Sequence, residues 1–223
     1  MIVLAVCVLL VVIFMFGCTQ SLYGMAEGNI SEYRKNLFIG SNDSITASFT
    51  SGMREQAYGF DGVPNKLMGY ATLTVKYKQT MPEFLPTYSL TVDGSEFDGT
   101  MQYNTITGAF YADLGGEVSN SADIYLRLHS DAGDGQLALP CISCGFNIDY
   151  SQAFKIAVNQ MKDVINANII ESSTLAGEFF VKLIGDRQSD FNNIYWLVLF
   201  VSQSGSKSAC VISPYSGEVI VQS

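Results

Sequence analysis

The chain opens on an unbroken apolar run, Ile2 to Phe16, with no charged side chain and no polar one except the Cys7 thiol. With Met1 and Gly17 it reaches about seventeen residues, the short edge of what a helix needs to cross a bilayer. A helix bonds every backbone group internally, so lipid is a tolerable surrounding for it. A segment apolar on every face is hard to bury in a chain of 223 residues. The pattern predicts an N-terminal membrane helix or signal segment over residues 1–18. The helix can continue through Leu22, Tyr23 and Met25, which would place an aromatic ring at the interface.

Beyond the run the pattern turns mixed. Residues 19–36 hold Gly24, Gly28 and charges of both signs, with a helical tendency in Ser31 to Lys35, and read as a juxtamembrane stalk. Residues 37–140 change to period two. Ser44 to Phe49 and Tyr70 to Tyr77 alternate, and shorter candidates follow at Tyr88–Val92, Gly99–Tyr103, Ala109–Ala112 and Ile124–Leu128. Asp61-Gly62, Asp93-Gly94, Asp98-Gly99 and Gly115-Gly116 stand between them as turns. Short strands at close spacing with Gly-containing turns predict an all-β antiparallel sandwich-like domain. Pro82 and Pro86 mark a loop or an edge, since proline donates nothing to a ladder.

Residues 141–223 change again. Phe154, Ala157, Val158, Met161, Val164 and Ile165 fall at helical spacing and predict a helix over Ser151–Ile165, started by Asp149 or Ser151. Strands at Glu178–Ile184, Ile194–Val201, Ala209–Ile212 and Val219–Val221 complete a C-terminal α+β domain, one helix on an antiparallel sheet. Tyr195 to Phe200, then Ser204-Gly205, then Ala209 to Val219 with the turn Pro214-Tyr215-Ser216-Gly217-Glu218, resemble the closing hairpin of PepSY domains, and the helix at Ser151 sits where that family places its own. The resemblance covers about residues 146–223. It implies a secreted or membrane-tethered module that binds or restrains peptidases and has no catalytic residues.

Charge narrows the partners. Lysine and arginine number 12 against 21 acidic residues, a net charge of −9, and all of it follows the apolar run. An acidic module repels phosphate backbones, so nucleic acid is not an expected partner. Gly17-Cys18 resembles the end of a bacterial lipoprotein signal, which makes Cys18 a candidate lipidation site. Anchor, cleaved signal and lipidated Cys18 stay open as fates of the segment. Asn29 and Asn42 begin glycosylation sequons, relevant in a eukaryotic secretory pathway.

The sharpest chemical motif is Cys141-Ile142-Ser143-Cys144, readable as a local disulfide, a redox pair or half a metal site. Only Cys210 and His129 remain in the folded part to complete a metal site. His129 is the single histidine and would have to serve any Ser/His/Asp or Cys/His mechanism. The loop Ser130 to Gly135 lacks the ligand spacing of a calcium-binding loop and reads as a turn. Arg54 and Asp61 are placed to pair across a hairpin. With no catalytic motif, no cofactor and no metal expected, the sequence points to a non-catalytic binding or envelope-assembly protein. It would be held at the cell membrane with its folded part extracytoplasmic and a protein partner in the envelope. The alternatives are a peptidase-restraining PepSY-like module and a thiol redox protein using Cys141 and Cys144.

Overall fold

The computed structural model describes residues 21–56, 59–170, 174–185 and 193–223. Helix α1 (Leu22–Glu27) begins at Ser21, whose hydroxyl accepts the Gly24 N–H. The strands that follow are β1 (Ile30–Ser41), β2 (Ile45–Glu55), β3 (Leu67–Tyr77), β4 (Thr87–Val92), β5 (Ser95–Thr100), β6 (Gln102–Asn104), β7 (Ala109–Gly115), β8 (Ile124–His129) and β9 (Gly135–Ala138). A short 3-10 turn at Ser143–Gly145 precedes helices α2 (Tyr150–Gln160) and α3 (Lys162–Ala167). The small ladder of β10 (Ile169–Ile170) and β11 (Thr174–Leu175) leads to β12 (Gly177–Gly185), β13 (Ile194–Ser202), β14 (Lys207–Ile212) and β15 (Val219–Gln222).

One nine-stranded sheet, in the order β15-β14-β13-β12-β1-β2-β3-β7-β6, runs through both halves of the chain. Its pairings are antiparallel except at the centre, where β1 and β12 run parallel with Tyr33 opposite Val181. Register defines its two faces. Phe38, Phe49, Leu73 and Ala112 are successive cross-strand partners, and so are Tyr33, Val181, Val198 and Cys210. Tyr33 lies opposite Met53, which shares its face with Phe49, so both sets point the same way.

That face is covered along its length. The four-stranded antiparallel sheet β5-β4-β8-β9 packs on one half, burying Leu90, Leu126 and Leu128 against Phe49, Leu73 and Phe110. Helices α2 and α3 cover the other half, burying Phe154, Val158, Met161 and Ile165 against Phe179, Trp196 and Phe200. Asp149 closes a capping box with Gln152 at the start of α2. The helical stripe breaks at Met161, so the single predicted helix is two. Trp196, fully buried, donates its indole N–H to the Ile148 carbonyl at 2.8 Å.

The expected fold class needs correcting. The protein is mostly strand, and its C-terminal part is mostly strand as well, rather than an α+β unit beside a separate sandwich. The parallel β1–β12 pairing merges the two sets of strands into one sheet. The physical reason lies in β12, where Phe179, Phe180 and Val181 are all buried. A strand covered on both faces is a central strand, and a buried run such as this shows no alternation to locate it. Residues 30–36, expected in a stalk, are the start of β1 at the middle of the sheet. The N-terminal membrane helix falls on residues 1–18 and Cys18 with it, outside the described residues. No helix among the described residues is long and apolar enough to cross a membrane.

Two glycines are required by the backbone. Asp93 and Gly94 both have positive φ, 48° and 80°, and close the tight β4–β5 hairpin between Val92 and Ser95. Gly52 lies where β1 bulges between Arg34 and Asn36, and a Cβ there would run into the Tyr33 carbonyl.

Candidate functional site: the open face of the large sheet

The opposite face of the nine-stranded sheet carries two rungs of polar side chains. Thr50, Thr72 and Asp113 form one across β2, β3 and β7; Ser48, Thr74, Tyr111 and Gln102 form the next across β2, β3, β7 and β6. A groove of about 390 Å³ lies over them, walled by residues 183–185 at the end of β12 and by Ile194 at the start of β13. Arg34, Arg54 and Lys76 line it together with Asp113. Thr72 donates its hydroxyl to Asp113 at 2.9 Å, and Tyr111 donates to Gln102 at 2.7 Å.

The two arginines are held in place from below. Glu32, 2% exposed, accepts a hydrogen bond from the Tyr70 hydroxyl at 2.7 Å, one from Lys182 Nζ at 2.7 Å and one from Arg34 Nε at 3.1 Å. Arg54 lies over the Tyr70 ring, 4.7 Å from its centroid, with its guanidinium 3.7 Å from Asp113. Burial pushes the Tyr70 hydroxyl well above the ordinary tyrosine range, with Glu32 adding to the effect. Burial pulls the Lys182 ammonium below the usual lysine value, and Glu32 opposes that. The carboxylate is what makes these cations tenable in a dry place. Arg34, Arg54 and Lys182 thus meet Glu32 and Asp113 here, with Glu178 and Glu55 close by, while Lys76 lies several residues further along the groove, opposite Thr46.

A loop closes one side of this cluster. Glu55 accepts the Gly59 and Asn65 N–H groups, and Glu178, itself buried, accepts the Gly62 N–H at 2.8 Å. Burial raises the Glu178 carboxyl above the usual range, opposed by the nearby Ser31 hydroxyl. Phe60 rests on Phe180 with ring centroids 4.5 Å apart. Further along the same face, outside the groove, Tyr195, Leu197, Leu199 and Val211 are half-buried and form an apolar strip.

The residues singled out from sequence lie elsewhere. Cys141, half-buried, and Cys144, exposed, form a disulfide in the segment that bonds to the edge of β1 through Ile39, Leu37 and Ile142. Cys210 is free and buried in the helix-covered core, and burial pushes its thiol up. His129 ends β8 on the outer sheet, exposed and 3.2 Å from Asp134. Asp131 accepts the Glu83 and Phe84 N–H groups and so ties its loop to the one before β4, and no metal-holding group occurs among the described residues. Arg54 does not meet Asp61, whose carboxylate accepts the Val63 N–H instead. The Asn29 amide donates to the Leu175 and Gly177 carbonyls, so it is engaged inside the fold rather than presented for glycosylation.

Sequence reasoning missed the Glu32 cluster. The available signals were Lys182 interrupting the apolar run Phe179 to Ile184, and Glu32 and Arg34 two apart on one strand face. Comparison with protein-family profiles, curated proteins and solved structures gives no match for this chain.

Proposed function

We propose that this is a non-catalytic, extracytoplasmic binding protein, held at the cell membrane through residues 1–18, that takes its partner in the groove on the open sheet face. The observation that carries the reading is the asymmetry of the large sheet. One face is covered by a second sheet and by helices, while the other holds preorganised arginines beside a groove of about 390 Å³. Side chains fixed before binding lose little further freedom on binding, which favours recognition. The Cys141–Cys144 disulfide fits an oxidising compartment. Thr74→Trp, which fills the groove while keeping a residue suited to a strand, tests the reading. Membranes holding the full chain are crosslinked with and without the substitution. The account expects the wild-type adduct to disappear in a variant whose melting curve is unchanged; an identical adduct would overturn it.

A second reading is the peptidase-restraining module, favoured by the order of α2 followed by the β12–β13–β14–β15 meander. It expects the purified chain to slow an envelope peptidase without being cleaved, and the Thr74→Trp variant to slow it equally.

A further inference from the structure

We infer that the groove's ligand is a carboxylate-bearing saccharide, an inference that rests on the binding role proposed above. The backbone donors and acceptors of β2, β3 and β7 are engaged in the ladder under the groove, where Ser48, Thr74 and Tyr111 are successive partners. A peptide adding to a sheet takes its affinity from a free strand edge and main-chain hydrogen bonds. The floor of the groove lies over paired strands, so recognition there falls to side chains, with the Gly185 backbone at one wall. On that floor stand the hydroxyls of Ser48, Thr50, Thr72, Thr74 and Tyr111, with Thr107 at the rim, while apolar Leu183, Ile184 and Ile194 form the wall. Each hydroxyl both donates and accepts, as a sugar hydroxyl does. Neighbouring strands stand about 4.8 Å apart, so hydroxyls recur along each rung at a spacing on the order of one sugar ring.

The charge selects an acidic sugar over a neutral one. Arg34 and Arg54 are fixed by Glu32, Tyr70 and Asp113, and Lys76 stands on the strand between them and β7. Planar guanidinium groups match a carboxylate in shape and charge. Asp113, already accepting from Thr72, remains an acceptor for ligand hydroxyls. Nothing in this reading requires a covalent step.

The test is a titration of the full chain in detergent, at low salt and at about 0.15 M salt, where charges screen over about 8 Å. The probes are tri-galacturonic acid, neutral maltotriose, a hexaglutamate peptide and inorganic phosphate. Tri-galacturonic acid is expected to bind, to weaken with salt, and to outbind maltotriose by about tenfold or more, the worth of charged hydrogen bonds. Lys76→Gln should weaken it about tenfold and Thr74→Val about threefold, on the same scale. Both substitutions sit on a solvent-facing strand position, and a melting curve confirms each fold. Equal binding of maltotriose would overturn the charge argument. Equal binding of hexaglutamate or phosphate would overturn the saccharide. No effect of either substitution would place the binding elsewhere. If all four probes fail while the membrane adduct still depends on Thr74, the ligand class is wrong and the binding role stands. If the adduct fails too, both fall.

Discussion

Replacing Glu32 with glutamine removes one charge from a buried ionic cluster of the open face and leaves its shape. The carboxylate is 2% exposed and accepts from Tyr70, Lys182 and Arg34, while the Lys182 side chain is 17% exposed. Removing one partner of such a pair costs about 3–5 kcal/mol because the other charge stays behind. Glutamine keeps one oxygen acceptor, so the lower end, about 3 kcal/mol, is expected. Urea unfolding followed by the fluorescence of Trp196, the single tryptophan and fully buried, measures it directly. Lys182→Met placed on top of Glu32→Gln should restore a large part of the loss, since contacting residues couple. The pH dependence has a definite sign. Burial holds the folded-state value of Lys182 below its unfolded value of 10.5. The unfolded state therefore binds more protons between the two values, and stability from this group rises with pH in that window. Without Glu32 the window widens, so the Glu32→Gln deficit should shrink as pH climbs towards 10.5, by at most about 1.4 kcal/mol per unit. A deficit under about 1 kcal/mol, or losses that simply add in the double variant, would refute the view of Glu32 as the anchor of the cluster.

Further outcomes are equally measurable. Cys141→Ala with Cys144→Ala should lower stability by about 2 kcal/mol, the chain-entropy value for so short a loop, and leave membrane adducts unchanged; lost adducts with an intact fold would point instead to thiol chemistry. Burial, with Tyr150 stacked on it, raises the Tyr33 hydroxyl to about 12. The stability it contributes is whole below pH 10 and is lost as pH rises towards 12, so Tyr33→Phe should blunt alkaline unfolding in melts across that range. Gly52→Ala forces a Cβ against the Tyr33 carbonyl and should cost about 3 kcal/mol in urea unfolding, the upper end for an overpacked position.

Much of the local structure was legible. The alternation at Tyr70–Tyr77 became β3 with Ala71, Leu73 and Val75 inward, and the 3.6-residue spacing after Asp149 became α2 with its predicted cap. What escaped were elements whose burial is polar or whose partners are distant. β1 holds Glu32, Arg34 and Lys35 and bulges after Arg34, so neither alternation nor hydrophobicity marked it as a strand. Its parallel partner β12 lies some 150 residues away by register, and no local pattern specifies such a pairing. The groove was hidden for a related reason. Ser48, Thr50, Thr72 and Thr74 looked like ordinary outward positions of separate strands, and only cross-strand register gathers them beside Arg34 and Arg54. The cysteine pair, conspicuous in sequence, turned out to tie the segment that borders β1.

The working surface is best tested by position-specific photocrosslinking of the full chain in its own membrane. A compact aliphatic diazirine side chain, small enough to leave open the groove that tryptophan would fill, is placed at Thr74 on the open face in one variant. In the other it replaces Tyr125, which is 51% exposed on the outer sheet. Diazirines insert into C–H bonds of sugars and proteins alike, so the readout does not presuppose the ligand. The account predicts an adduct from position 74 and none from position 125. Labelling from 125 alone, or equal labelling from both, would contradict it.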